Sequence, residues 1–274
     1  MFRFAALLAA LLLAACGSSP KPPPEPRLRV QAQEQESSGA RRYAQGDYAA
    51  AARHFGEAVR LRSSLDEPVA AARNRLQQAQ SELAQGQAQQ ALAHASQVTD
   101  EAWQIQSLLL QVQAQLSLGS NDAAQAALAR LSSRCEARCP ERGRVLLLSA
   151  RVAWAQGKSA DTLGQAEAAV SLLREQAEDR EVANAWRLVA AARLAQGDAA
   201  RALPAAQTSL ELDRRLALPE KIARDWLLIG DIQRRAGNGS DARAAYQRAQ
   251  AVAQAASLRE IADLAERSLQ ESVR

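Results

Sequence analysis

From residue 40 onward, apolar positions recur at the three- and four-residue spacing of helix faces, in segments broken by short stretches that carry glycine. Glycines that follow an apolar-periodic segment and precede an alanine-rich one fall at Gly46, Gly86, Gly119, Gly157, Gly197 and Gly237, with separations of 40, 33, 38, 40 and 40 residues. Periods of this size belong to arrays of helix-turn-helix units, because one hairpin cannot bury its own apolar face and must stack on a neighbour. After the last glycine unit, Leu258, Ile261, Ala262, Ala265 and Leu269 keep helical spacing and predict a helix that shields the final hairpin.

The residues around the glycines resemble the tetratricopeptide repeat. Trp226-Leu227-Leu228-Ile229-Gly230 leads into Gly237, followed by Ala242, Tyr246 and Ala249. That is a large aromatic and a small residue on a first helix, a turn glycine, then small, aromatic and small residues on a second. Trp186, Ala190, Gly197, Ala202, Ala206 and Ser209 keep the spacing, as do Gly46, Ala51, Phe55 and Ala58. Glycine ends a helix in a backbone conformation that other residues resist, and alanine lets two helices approach closely. The units near Gly119 and Gly157 depart from the pattern, with Leu128 and Ala166 where an aromatic is expected, and most periods exceed the family's usual 34, which implies longer helices. The resemblance implies an all-α fold, a right-handed superhelical solenoid of about six helix hairpins with a C-terminal capping helix, over residues 40–274.

Composition agrees with helices, since Ala, Leu, Gln, Arg and Glu dominate and strand-favouring residues are scarce. Lys+Arg number 34 against Asp+Glu 30, a net charge of +4, and the signs are interspersed along the chain. Without a basic stripe interleaved with aromatics, this reads as a solvated helical surface and not a nucleic-acid interface.

The N-terminus differs from the rest. Arg3, the apolar run from Phe4 to Leu13 and the closing Leu13-Ala14-Ala15-Cys16 have the layout of a secretory signal peptide, residues 1–15, too short to span a bilayer. The last four residues resemble the lipobox of bacterial lipoproteins, which implies acylation of Cys16 and cleavage before it. An ordinary cleaved signal peptide with an incidental cysteine is the other reading. Gly17 follows, where Asp is typical of inner-membrane retention in well-studied enteric bacteria, so the resemblance implies the outer membrane. Residues 16–39 contain Pro20, Pro22, Pro23, Pro24 and Pro26 and then a Gln- and Glu-rich stretch, poor enough in apolar residues to predict an extended tether.

Candidate chemistry is sparse. Cys135 and Cys139, four residues apart between repeat units, are expected to form a disulfide if the chain is exported; a redox-active pair is the sharper alternative, without the usual two-residue spacing. His54 and His94 sit eight residues after successive turn glycines, so repeat phase accounts for them, and no metal or cofactor site is expected. No hydrolase elbow, zinc-protease or phosphate-loop motif occurs, and the chain is not expected to be an enzyme.

The expected working surface is the concave groove that the resemblance implies. Counting back from the turn glycines places Arg73, Gln80, Arg144, Arg151, Trp154, Asn184, Arg187, Arg224, Asp231 and Arg234 there. The set is rich in arginine, which captures carboxylates in bidentate fashion, so an acidic segment or a C-terminal carboxylate of another protein is the expected ligand; solvated helix charge is the plain alternative. The resulting expectation is a periplasm-facing, outer-membrane-anchored protein-binding scaffold that assembles an envelope complex. A periplasmic enzyme or its regulatory subunit is the second reading.

Overall fold

The computed structural model describes residues 26–272; the expected signal peptide, Cys16 and the tether through residue 25 lie outside the described residues. The described chain is all-helical. Six hairpins follow one another: α1 (Arg27–Ala44) with α2 (Tyr48–Ser64), α3 (Pro68–Ala84) with α4 (Ala88–Ser96), α5 (Gln104–Ser117) with α6 (Asn121–Arg134), α7 (Arg142–Ala155) with α8 (Ser159–Glu175), α9 (Asp179–Ala195) with α10 (Ala199–Arg215), and α11 (Pro219–Arg235) with α12 (Gly239–Ala255). A thirteenth helix, α13 (Arg259–Glu271), buries Ile261 and Ala265 against the last hairpin. None of these helices is long and apolar enough to cross a membrane.

Part of the stretch expected to be a tether, residues 16–39, is helical. Residues 27–39 form the first part of α1, so the folded body begins near Arg27 and not at residue 40. Only Ala32 and Gly39 of α1 are buried, which is why its sequence looks unfit to fold. Its polar residues are held from outside the helix: Glu36 accepts from Arg62 Nε and Asn74 Nδ2, each at 2.8 Å, and Arg29 pairs with Glu67 at 2.6 Å.

The 40-residue period has a simple origin. Seven of the helices are 17 residues long, and three-residue turns join them. In each of the six glycine turns, φ lies between +69° and +81°, where a side chain is strained. At Gly197 the next amide, Asp198, donates back to Arg193 O at 2.9 Å, the closure of a Schellman motif. Twenty residues beyond four of the glycines, the turns between hairpins repeat the geometry with Asp66, Ala177, Ala217 and Ser257 at φ 51–58°. The conformational unit is therefore one helix and one turn. The shorter spacing of 33 arises because α4 stops after nine residues and a turn of 3-10 helix, Glu101–Trp103, leads into α5.

Within each hairpin, the residue seven before the glycine and the residue nine after it meet in the core. In the first and last hairpins these are Gly39 with Phe55 and Gly230 with Tyr246, and the fit is close: a Cβ on Gly39 would stand 2.8 Å from the Phe55 ring, and one on Gly230 2.3 Å from that of Tyr246. The fourth and fifth hairpins put Ala150 with Ala166 and Ala190 with Ala206 at the same stations, all fully buried, and the third uses Val112 with Leu128. In the central repeats the facing residue is larger than glycine, and the close approach that Gly39 and Gly230 allow an aromatic ring is missing.

A second set of equivalent positions lies where hairpins stack. It joins the residue ten before a glycine, the residue sixteen after it, and the facing residue of the next first helix. Three junctions are apolar: Leu109–Cys135–Val145, Leu147–Leu173–Ala185 and Leu227–Ala253–Ala265. Two are polar, Glu36–Arg62–Asn74 and Arg187–Asp213–Asp225.

Candidate peptide-binding groove

The first helices of successive hairpins present one face to a concave surface that runs through three adjoining cavities. The largest, about 590 Å³, lies between α7, α9 and α11 around Trp154, Leu194 and Leu228. A central one of about 290 Å³ holds Arg151, Asn184, Arg187 and Lys221. The third, about 490 Å³, reaches from Arg151 and Asn184 across Gln113 and Gln106 to Gln77, Gln80 and Arg73. The superhelix curls enough that Arg180 and Glu181 of α9 act electrostatically on Tyr43 of α1, although burial, followed by neighbouring Tyr48, decides the sign and pushes the phenol up.

Nine of the ten residues expected in the groove line these cavities. The exception is Arg224. It points outside them and pairs with Glu220 one turn away at 3.0 Å. Charge is a separate matter, because most of the groove arginines are already engaged. Arg73 is paired with Glu36 at 2.8 Å, Arg144 with Glu178 at 2.7 Å, and Arg234 with Asp231 at 3.3 Å.

Arg187 is the main correction. Its Nε donates to Asp225 Oδ1 at 2.7 Å, its Nη2 to Asp213, and its Nη1 to Asn184 Oδ1 at 2.9 Å. Ser209 Oγ lies 3.0 Å from Asp225 Oδ1 and from Ala183 O. With both aspartates fully buried, removal of this guanidinium to serve a ligand would strand their charge. Arg187 is a structural cation in the groove floor, not a ligand-binding one.

Two half-buried cations remain available, while Arg235 in the Trp154 cavity is exposed to solvent. Arg151 and Lys221 are half-buried and have no ion-pair partner among the described residues. Burial lowers the Arg151 pKa, with Glu181, beyond ion-pair distance, offsetting part of the effect. Lys221 is pushed down first by burial, then by Arg187, and by Arg151 and Arg224, against the opposing influence of Glu220. Trp154 stands beside them with 40% of its surface exposed, unusual for a large apolar side chain in this fold. Two other indoles are capped by arginines: Trp226 lies between the guanidiniums of Arg214 and Arg248, 5.1 and 4.7 Å from its ring centre, and Arg174 covers Trp186 at 5.7 Å, while Trp103 lines the cavity at the early hairpins.

Lys221, Glu181, Gln106 and Gln113 were not among the expected residues. The count that yields Arg144 and Arg151 from Gly157, thirteen and six residues back, yields Gln106 and Gln113 from Gly119. One helical turn further back, at sixteen, it reaches Glu181 and Lys221.

The remaining candidates lie away from the groove. Cys135 and Cys139 form a disulfide with their Cα atoms 5.1 Å apart, in the loop between α6 and α7. Glu141 reaches the same pair, but oxidised cysteines offer no thiolate to a metal. His54 Nδ1 lies 2.7 Å from Gln35 Oε1 and His94 Nδ1 2.8 Å from Glu82 Oε2, so each belongs to its own hairpin.

No family model and no curated protein matches this chain. Solved structures do. A chain of the APC/C hetero-tetramer Cut9-Hcn1 superposes with a TM-score of 0.74 at 16% identity, over 90% of this chain and 44% of that one. The STAND protein PH0952 from Pyrococcus horikoshii, described as having a tetratricopeptide repeat sensor, gives 0.66 at 12% identity over 89% of this chain and 38% of its own. The fold is that of the tetratricopeptide repeat. A Rap protein complexed with competence and sporulation factor gives 0.64 at 12% identity, over 90% of this chain and 76% of that one. At such identities the shared property is the fold itself.

Proposed function

We propose that this protein is a protein-binding scaffold of the bacterial cell envelope, held at the outer membrane by acylation of Cys16 and facing the periplasm, whose groove takes an acidic segment of a partner. The carrying observation is the pair Arg151 and Lys221, half-buried without carboxylate partners in the middle of a continuous groove. Cations in that situation have lost hydration without gaining a counter-charge, so an incoming carboxylate relieves both at once. Solenoids of stacked hairpins offer extended concave surfaces of this kind. The anchor rests on Leu13-Ala14-Ala15-Cys16, and the outer-membrane assignment on Gly17.

The scaffold reading is tested by placing a photo-crosslinking residue at Gln80 or at Trp154 in the groove, and at exposed Glu211 on a second helix, in intact cells. A discrete adduct formed from the groove positions and absent from the control is expected. Equal labelling from all three positions, or turnover of a substrate by the isolated protein, would overturn it. For the anchor, Cys16→Ser should move the protein out of the membrane fraction and abolish incorporation of labelled palmitate.

A further inference from the structure

The two half-buried unpaired cations, Arg151 and Lys221, stand at the centre of the groove and not at an end. On the side of the early hairpins, the cavity beside Arg151 continues for about 490 Å³ past Gln113, Gln106, Gln80 and Gln77. On the other side it continues past Trp154 into about 590 Å³ walled by Ala191, Leu194 and Leu228. A chain ending in a carboxylate on Arg151 and Lys221 would fill one arm and leave the other to water.

Both arms have apolar walls, the first through Leu76, Trp103, Leu109 and Leu110, but only the first carries glutamines. Glutamine side chains each donate and accept, which suits the backbone of an extended peptide passing over them. The opposite arm has an exposed indole and aliphatic walls, with Arg234 paired to Asp231 and Arg235 exposed at its edge. Aromatic and aliphatic anchors in such pockets supply most of the energy of peptide recognition.

Resting on the groove reading above, we infer that the ligand threads through the groove: an internal Asp or Glu side chain sits on Arg151 and Lys221, a large apolar side chain lies against Trp154 and Leu228, and polar main chain follows the glutamines. The partner is then recognised by an internal acidic-apolar motif in an extended segment and not by its terminus.

The test uses the full chain and synthetic peptides of twelve residues, acetylated and amidated so that neither end is charged. Each carries one Glu and one Phe at separations of one to six residues in a Ser/Gln background, and binding is read by fluorescence anisotropy. At least one spacing should bind, and replacing its Glu by Gln should weaken binding by about tenfold or more. Arg151→Gln and Lys221→Gln should abolish the preference for Glu over Gln with the thermal midpoint unchanged, and Trp154→Ala should abolish the preference for Phe over Ser. Failure of every blocked peptide to bind, or equal binding of Glu and Gln peptides, overturns the inference. A strict requirement for a free C-terminal carboxylate overturns threading but leaves the groove as the binding surface, whereas loss of groove-specific crosslinks in cells removes both.

Discussion

Glu36 and Arg187 occupy the same station, ten residues ahead of the turn glycine of their hairpins, and carry opposite charges into equivalent junctions. Glu36 is answered by Arg62 and Asn74, and Arg187 by Asp213 and Asp225, with sequence separations of 26 and 38 residues in both cases. At three other junctions the same stations hold only apolar side chains, as in Leu147–Leu173–Ala185. A buried ion pair seldom stabilises more than a well-packed apolar replacement, so the polar junctions do more for register than for strength: a hairpin that meets the wrong neighbour buries an unpaired charge.

Arg187→Ala should therefore destabilise the protein by about 3–5 kcal/mol, because it leaves two buried aspartates unpaired. The triple variant Arg187→Leu, Asp213→Leu, Asp225→Ala, which copies the fourth junction, should be at least as stable as the parent. Urea denaturation followed by circular dichroism measures both. A triple variant weaker than Arg187→Ala would show that the junction depends on its charges.

The same triad sets a pH dependence. Burial pushes Asp213 up to about 6, with Arg187 pulling it down and Asp225 pushing it further up. Between about pH 4, the unfolded value, and about 6, the folded state holds a proton that the unfolded chain has released, so stability falls as pH rises through that window. Glu36 behaves in the opposite sense: burial opposes its charge, but hydrogen bonds from Arg62 and Asn74 hold it below the usual range, and its contribution is lost as pH falls below about 4. The urea midpoint should peak near about pH 4, and Asp213→Asn should flatten the limb between about pH 4 and 6 while leaving the acid limb in place.

Size exchange within a hairpin gives a third test. Gly230→Ala should cost about 1–3 kcal/mol, because the new methyl overlaps the Tyr246 ring. Adding Tyr246→Ala reproduces the Ala190–Ala206 pair, so the two substitutions together should cost clearly less than the sum of the singles, and a double-mutant cycle reads the difference. Strict additivity would mean that the two side chains do not share one volume.

Turn residues make the fourth. Gly197 holds φ 81°, and nothing stands near the position of an added Cβ, so Gly197→Ala should destabilise by about 1 kcal/mol through backbone strain alone. Ala217 holds φ 51° in the matching turn twenty residues later. Ala217→Gly should shift the thermal midpoint upward by a comparable free energy.

The fold was readable because its signals are local. Each turn glycine, and each small or aromatic residue at a fixed distance from it, reports on contacts inside one hairpin, and the six hairpins and the capping helix stand where those signals placed them. What escaped reading depends on partners further along the chain. Residues 27–39 of α1 read as a tether because their support, Arg62, Glu67 and Asn74, comes from the next two helices and the turn between them. Arg187 reads as a free groove cation because both of its aspartates belong to later helices. Lys221 escaped because the count from the glycine stopped one helical turn short.

The shortness of α4 and the loop at Cys135–Cys139 interrupt an otherwise uniform series of contacts between neighbours, and the packing of α6 on α7 is the sparsest between consecutive helices. In a one-dimensional array, cooperativity extends only as far as the neighbour couplings hold. Unfolding should therefore propagate through hairpins four to six as one block and stop at the disulfide loop. Amide hydrogen exchange under mild denaturant would show a shared opening free energy from α8 to α12 and a different one in α2 and α3.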